Sequence, residues 1–262
     1  MCAVNIDRKE NVLVIESLSD GVLTIQFNHR HYNNPFSDSM QDAVINSLQS
    51  AEENSNVKAI ILTGGVGRSF SVGGDFNEVK TLQGGQEVDL WIDRITKMYT
   101  ACLRVSKPTI AAVDNYAIGI GFQLALTCDY RIMTERGKFI MPELKHGIAC
   151  TLGQCMLEKS LGRNAMLEII YECEAIPLQK CFDYRLINKI SSPDKLLEDS
   201  HLLAKRLASY PEVAFRKTKK VVNESYVEQL ITVTEQTKLA HRMTFGDGRA
   251  QQFMRKVVGE TV

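Results

Sequence analysis

The sequence lacks the features that mark several classes of protein. It has no surplus of either charge, because lysine and arginine together number 31 and aspartate and glutamate also number 31. Without a net positive field, nothing favours binding to nucleic acid or to an anionic membrane surface. It also has no apolar run of membrane-spanning length, and no basic start followed by an apolar stretch. We therefore expect a soluble cytoplasmic protein with no nucleic-acid and no membrane partner.

Paired cysteines are also missing. The seven cysteines are scattered, and no two of them form a CxxC motif. The spacing therefore predicts neither a zinc site nor a redox motif. An odd number of cysteines in a chain of this size is typical of buried, reduced thiols in a reducing compartment. We expect no bound metal.

What is present is a chain of 262 residues in which apolar runs and turn signals alternate. This length suits one α/β domain with an appendage better than two equal domains. Up to residue 193, strand patterns alternate with helical patterns, which is typical of parallel βαβ units. Beyond it, nearly every segment is compatible with a helix, and Pro211 divides two of the helical runs. We predict an α/β core domain over 1–193 and a helical C-terminal region over 194–262.

Several individual elements can be predicted from the same patterns. The stretch "NVLVIESLSDGVLTIQFN" has two apolar runs around Ser-Asp-Gly, which indicates a hairpin. Helical spacing begins after Ser37 or Asp38, either of which could cap that helix. "VKAIILTGG" is typical of a buried strand, and residues 86–105 of another helix. "KPTIAAVDNYAIG" indicates a strand that runs into a turn.

Two glycine-rich turns each follow an apolar strand and precede a helical pattern. They are "SVGGDFNEV" at 71–79 and "NYAIGIGFQ" at 115–123. Glycines in either turn could simply let a strand turn into a helix. Taken together, however, the turns can aim free backbone N–H groups at one negative charge, as in an oxyanion hole. Leu124 stands where a GxGxxG fingerprint needs glycine, and no Walker lysine follows, so phosphate binding is poorly supported.

The motifs around these turns resemble those of the crotonase (enoyl-CoA hydratase/isomerase) superfamily. The resemblance includes "SFSVGGDFNEV", "KPTIAAVDNYAIGIGFQLAL" and "FIMPELKHGI" and covers nearly the whole chain. It implies an α/β, ClpP/crotonase-like fold of repeated ββα units with a helical C-terminal trimerisation region. It also implies that the backbone N–H groups of Gly74 and Ile120 hold the thioester oxygen of an acyl-CoA and stabilise its enolate.

The resemblance locates one carboxylate where hydratases have two. Hydratases use a pair of glutamates for acid–base chemistry, and the matching positions here are Gln123 and Glu143. A neutral amide cannot take a proton at pH 7, so ordinary hydration is disfavoured. A single carboxylate could still move a proton between two carbons in an isomerisation. Alternatively, the enolate could form by loss of carbon dioxide, which needs charge stabilisation and no base.

A finer resemblance favours decarboxylation. "NNPFS", "GGDFNEVK" and "MPELKHGI" are similar to the branch of the superfamily that decarboxylates malonyl-CoA and joins the enolate to pyrroline-5-carboxylate, in antibiotic biosynthesis. Glu143 is then catalytic and Gln123 supplies a neutral hydrogen bond. Coenzyme A enters as the substrate thioester, with no separate cofactor, and we expect a homotrimer or hexamer. The resemblance implies these substrate-binding residues: Asn34, Phe36, Ser71, Gly73, Trp91 and His241.

Alternatives remain at the level of the sequence. Trp91 could be a core residue, and His241 could be an exposed helix residue instead of a cationic contact for a substrate carboxylate. The enzyme could be an enoyl-CoA hydratase or isomerase. A different class is a non-catalytic acyl-CoA-binding scaffold that has kept the fold.

Overall fold

The computed structural model describes residues 12–260, so Cys2 and the start of the chain lie outside the described residues. In this range the chain alternates short strands with helices, as the sequence predicts. The strands are β1 (Val14–Ser19), β2 (Val22–Phe27), β3 (Ala59–Thr63), β4 (Thr109–Val113), β5 (Tyr116–Ile118), β6 (Tyr130–Thr134), β7 (Lys138–Ile140) and β8 (Lys189–Ser191).

Helices connect these strands and make up the C-terminal region. They are α1 (Asp38–Glu53), α2 (Phe76–Val79), α3 (Gln86–Arg104), α4 (Ile120–Thr127), α5 (Thr151–Leu161), α6 (Arg163–Glu172), α7 (Leu178–Asp183), α8 (Leu196–Ala208), α9 (Glu212–Gly246) and α10 (Arg249–Val257). A single 3₁₀ turn, Glu143–His146, follows β7. Within residues 12–260, no helix has both the length and the apolar composition needed to span a membrane.

The strands form two sheets. The larger has the order β1-β2-β3-β4-β6-β8, with β1 and β2 as an antiparallel hairpin and all other neighbours parallel. The smaller consists of β5 and β7 in parallel. Two strands followed by a helix recur as β1-β2-α1, β4-β5-α4 and β6-β7-α5. The predicted α/β fold of repeated ββα units is therefore confirmed.

The central strands are buried on both faces and separate two cores. In β3, Ile60 and Leu62 face the main core, whereas Ala59 and Ile61 face a smaller cluster beneath α8. This alternation follows from the two-residue period of a strand. Helices cover both faces of a parallel sheet and so shield its apolar side chains from water.

Local capping agrees with the sequence at two helices. The Ser37 hydroxyl accepts a hydrogen bond from the Met40 N–H at 3.1 Å, and so caps α1. Asp75 caps α2 in the same way, by accepting from the Asn77 N–H. Pro211 separates α8 from α9, as predicted. The six cysteines in the described range are all buried and free, which agrees with the predicted reduced thiols.

One prediction needs correction. The stretch "KPTIAAVDNYAIG" contains two strands, because β4 ends at Val113 and β5 begins at Tyr116 in the other sheet. Between them, the Asp114 carboxylate accepts from Arg136 and from the Gly67 N–H. These bonds fix the turn at which the chain passes from one sheet to the other.

Candidate active site

An apolar pocket of about 660 Å³, measured out to its open mouth, lies where the two predicted turns meet. Its walls are mostly aliphatic and aromatic, with a few polar side chains. Seven of the site residues predicted from the sequence line this pocket: Gly73, Gly74, Trp91, Ile120, Gln123, Glu143 and His241. Such a pocket suits an acyl group better than a phosphate.

Strand pairing explains why these segments meet. In the smaller sheet, Ile118 at the end of β5 is paired with Ile140 at the end of β7. On the other side of β5, Ser71 forms an isolated parallel bridge with Ala117. Because parallel strands end at the same edge, the segments that follow lie side by side. They are the turn at 73–74, the turn at 119–120, and the 3₁₀ turn with Glu143.

The first turn is held by backbone hydrogen bonds to Phe36. Gly73 has a φ of +93°, a conformation that glycine adopts without strain. Its carbonyl accepts from the Phe36 N–H at 2.7 Å, and the Phe36 carbonyl accepts from the Asp75 N–H at 3.1 Å. The Gly74 N–H between them donates to no acceptor within residues 12–260. It is therefore free for a ligand.

The second turn ends at the start of a helix. Gly119 has a φ of +51°, and Ile120 is the first residue of α4. The first N–H groups of a helix have no partner within it, and the helix dipole favours negative charge there. In the described chain the Ile120 N–H makes no hydrogen bond. A Cβ added to Gly73 would lie 3.7 Å from this nitrogen, so the two turns are in contact.

Glu143 lies beside the second turn, where a Cβ added to Gly119 would be 3.2 Å from its Oε1, and the pKa of its carboxyl is shifted. Burial raises the pKa of its carboxyl from 4.5 to about 7, although hydrogen bonds oppose the shift. Its Oε1 accepts from the Gln123 side chain at 2.8 Å. Its Oε2 is buried and has no hydrogen-bond partner at normal geometry within the described residues, although the Cys150 thiol beside the carboxyl also lowers its pKa. At neutral pH, this carboxyl can therefore either give or take a proton.

Gln123 is held from both ends. Its Nε2 donates to Glu143, and its Oε1 accepts from the Tyr99 hydroxyl at 3.0 Å. Tyr99 lies in α3 and is fully buried. Tyr99 is not among the residues predicted from the sequence, because nothing in the helical pattern around it distinguishes it from a core residue.

His241 and Trp91 form another part of the pocket wall. Their ring centroids are 6.0 Å apart. The Trp91 Nε1–H is buried and has no acceptor within the described chain. His241 is buried, which rules out an exposed helix residue, and burial lowers its pKa to about 4. In the free protein the imidazole is therefore neutral, and its Nδ1 donates to the Thr237 carbonyl. Its role as a cationic contact for a substrate carboxylate stays a prediction.

Three residues predicted to bind substrate contact other parts of the protein. The Asn34 amide is fully buried and donates to the Gly64 and Ser69 carbonyls. Phe36 packs edge-to-face against Phe27 in the core. The Ser71 hydroxyl accepts from the Gly73 N–H at 3.2 Å. None of these side chains lines the pocket, and all three hold the loops that shape it.

His146 also lines the pocket, at the end of the 3₁₀ turn. Its ring stacks on Phe253 of α10, with centroids 4.0 Å apart. Burial lowers its pKa to about 4, so this ring is neutral as well. In the part of the chain that the structure describes, no group of three acidic, histidine or cysteine side chains could hold a metal ion.

Comparison with known proteins identifies the family of the chain. The family model described as enoyl-CoA hydratase/isomerase matches residues 17–256. Carboxymethylproline synthase of Pectobacterium carotovorum subsp. carotovorum is 42% identical over 248 residues, which cover 95% of this chain and 99% of that protein. The structure of ThnE from S. clavuligerus is 32% identical, covers 87% of this chain and 100% of its own, and has a TM-score of 0.76.

A more distant structure supports the fold alone. The enoyl-CoA hydratase of Bacillus halodurans has a TM-score of 0.85 and 21% identity, and covers 93% of this chain and 99% of its own. The family match spans both the α/β core and the C-terminal helices. The chain therefore belongs to the enoyl-CoA hydratase/isomerase family and is a crotonase-superfamily enzyme that resembles carboxymethylproline synthase over nearly its whole length.

Proposed function

We propose that this enzyme decarboxylates malonyl-CoA and joins the resulting enolate to a carbon electrophile, as a carboxymethylproline synthase-like enzyme. One observation carries the proposal. Among the described residues that line the pocket, Glu143 is the single carboxylate. The position of the second hydratase glutamate holds the Gln123 amide, hydrogen-bonded to Glu143 at 2.8 Å. This pair lacks the second base that hydration uses, whereas decarboxylation requires none.

The reaction needs a stabilised enolate. When the malonyl carboxylate leaves as carbon dioxide, the electrons of the broken C–C bond remain on the thioester as an enolate. The N–H groups of Gly74 and Ile120 hold the oxygen on which this charge develops. Preorganised donors of this kind lower a barrier most in a site that excludes water. Both amides lack a protein acceptor within residues 12–260, so no protein hydrogen bond has to break before they bind the substrate oxygen.

The enolate carbon then attacks an imine carbon, as in pyrroline-5-carboxylate. A C–C bond forms, the electron pair of the C=N bond moves to nitrogen, and the nitrogen keeps or takes up one proton. The pocket offers two complementary groups for such an electrophile. The Nε2 of the neutral His241 can accept from a protonated imine, and the Trp91 N–H can donate to a carboxylate.

Glu143 completes the cycle. With a pKa of about 7, its ionised form activates water for hydrolysis of the product thioester. Its protonated form delivers a proton to the enolate when no electrophile is bound. Water adds to the thioester carbonyl and the C–S bond breaks, so the free acid and coenzyme A leave the pocket. An enolate that takes up a proton instead leaves as acetyl-CoA.

A second candidate is an enoyl-CoA isomerase or hydratase. The unpartnered Oε2 of Glu143 favours it, because one carboxyl with a pKa near neutrality can move a proton between two carbons. The test is incubation with malonyl-CoA, with and without pyrroline-5-carboxylate. We expect release of carbon dioxide and a new C–C bonded product. Water addition to crotonyl-CoA without carbon dioxide release would favour the second candidate, and tight coenzyme A binding without turnover would favour a scaffold.

We also propose that the enzyme assembles as a homotrimer or hexamer through its C-terminal helices. Several large apolar side chains of α9 are exposed in the single chain, namely Val213, Val221, Val222, Ile231, Leu239 and Met243. Apolar side chains in this number along one helix are typical of a surface that another chain covers.

A further inference from the structure

The Gln123 amide has two orientations of nearly equal shape, and its neighbours determine which one is present. In the structure its Nε2 lies 2.8 Å from Glu143 Oε1 and 3.4 Å from Met141 Sδ. Its Oε1 lies 3.0 Å from the Tyr99 hydroxyl. Both neighbours of the nitrogen are acceptors, and the neighbour of the oxygen is a donor.

Tyr99 is suited to hold this orientation. Its side chain is fully buried, and burial raises its pKa well above 10, so the phenol keeps its proton. If the amide were reversed, the phenol would have to donate elsewhere, and the other nearby acceptor, the Ile120 carbonyl, is 3.5 Å away. The phenol proton therefore has a good acceptor only when Gln123 Oε1 faces it.

The orientation matters for Glu143. An N–H that donates to Oε1 stabilises the ionised carboxylate, whereas a carbonyl oxygen in its place stabilises only the protonated form. A hydroxyl that fixes the amide thus favours the ionised carboxylate against the cost of burial. The Cys150 thiol is the other titratable group beside this carboxyl, and it too favours the ionised form. Burial raises the pKa of this thiol, so it keeps its proton. We propose that Tyr99 is a positioning residue: its hydroxyl orients the Gln123 amide so that Glu143 remains ionised and ready to activate water at neutral pH.

This inference rests on the proposed role of Glu143 as a base, and its test separates the two. Tyr99→Phe removes one oxygen and leaves the packed ring. The Tyr226→Phe variant is the matched control, because the Tyr226 hydroxyl is also buried but has no partner within the described residues. The pKa of Glu143 is read without substrate, from the infrared carboxyl band that disappears in a Glu143→Gln background.

We expect Tyr99→Phe to raise the pKa of Glu143 from about 7 by about 0.5 to 1 unit, and Tyr226→Phe to leave it unchanged. In Tyr99→Phe, kcat for hydrolysis of the product thioester should fall up to about fivefold at pH 7 and recover near pH 9. KM should not change. An unshifted carboxyl band in Tyr99→Phe would overturn the proposal. Failure of the proposed function would appear separately, as absence of carbon dioxide release by the unmodified enzyme.

A double-variant comparison tests whether Tyr99 acts through Gln123. Gln123→Met removes the amide at similar length, and should raise the same pKa by itself. Adding Tyr99→Phe to it should then produce no further shift. An additive shift would mean that Tyr99 acts independently, which contradicts the proposal. If Tyr99→Phe does not fold, Gln123→Met alone is the test. An unshifted pKa of Glu143 in Gln123→Met also overturns the proposal.

Discussion

Glu143 combines a proposed catalytic role with a cost to stability. Its side chain is partly exposed as a whole, but its Oε2 is buried, and burial raises the pKa of the carboxyl from 4.5 to about 7. Below pH 4.5 the group is protonated in both the folded and the unfolded chain, so it costs nothing. As the pH rises towards 7, only the unfolded chain ionises freely, and the folded state loses up to about 3 kcal/mol of relative stability.

Glu143→Gln should therefore stabilise the protein at pH 8 and have little effect at pH 4.5. The expected gain in the free energy of unfolding at pH 8 is at most about 3 kcal/mol, measured by urea denaturation at both pH values. Glu172→Gln, at an exposed site, is the control and should change little. A variant that is equally stable or less stable at pH 8 would mean that Glu143 is not buried as a costly charge.

The same variant should slow hydrolysis of the product thioester and keep coenzyme A affinity. Removal of a positioned acid–base group typically costs about 10²- to 10⁴-fold in rate. Coenzyme A itself does not need this carboxyl, so its dissociation constant should be nearly unchanged by calorimetry. Equal losses of rate and affinity would instead indicate a structural role for Glu143.

Contacts between elements hold the two turns together, and Gly121 lies at the tightest of them. A Cβ at Gly121 would lie 2.5 Å from the Ser71 carbonyl oxygen, so α4 can approach the first turn only with glycine here. Gly246, at the end of α9, is a matched control because an added Cβ meets nothing within 4 Å.

Gly121→Ala should separate the turns, lowering kcat and destabilising the fold by about 1 to 3 kcal/mol. Gly246→Ala should leave turnover unchanged and could stabilise α9 by up to about 1 kcal/mol. Thermal unfolding and steady-state kinetics of both variants measure these effects. Normal activity in Gly121→Ala would show that the close approach of the turns is not required.

Elements with a local signal were predictable, and those fixed by distant contacts were not. The hairpin of β1 and β2 and the cap at Ser37 follow from short sequence patterns. In contrast, β5 has three residues, too few for a period of two to be visible. Tyr99 reaches Gln123 only because α3 packs against α4. The burial of His241 likewise depends on how α9 lies against α3.

At the scale of the whole molecule, the C-terminal helices are not a separate body. Leu196 and Ala204 of α8 pack into the cluster under the large sheet, and His241 of α9 lines the pocket. The predicted boundary at residue 194 therefore marks a change in sequence pattern, and residues from both sides of it line the pocket. The match to the family model, over residues 17–256, crosses the division as well.

The proposed assembly predicts a definite mass in solution. Sedimentation equilibrium should give three or six times the chain mass of 29.4 kDa. Ile231→Glu introduces a charge on the exposed apolar face of α9 and should shift the enzyme towards the single chain, whereas Val66→Glu, on an exposed turn of the core, should not. A chain that sediments as a monomer at all concentrations would contradict the assembly.

Direct observation of the thioester carbonyl tests the central claim, that the Gly74 and Ile120 amides both hold its oxygen. Acetyl-CoA labelled with ¹³C at this carbonyl is a suitable probe, because it has no carboxylate to lose. Ile120→Pro removes one N–H at the first position of α4, where proline is tolerated, and Ile120→Val keeps it. In the bound state we expect the carbonyl stretch to move to lower frequency in the unmodified enzyme and in Ile120→Val. In Ile120→Pro it should return towards its solution frequency, and turnover should fall by about 10²- to 10³-fold. A carbonyl band that stays at its solution frequency in the unmodified enzyme, or that is the same in both variants, would contradict the account.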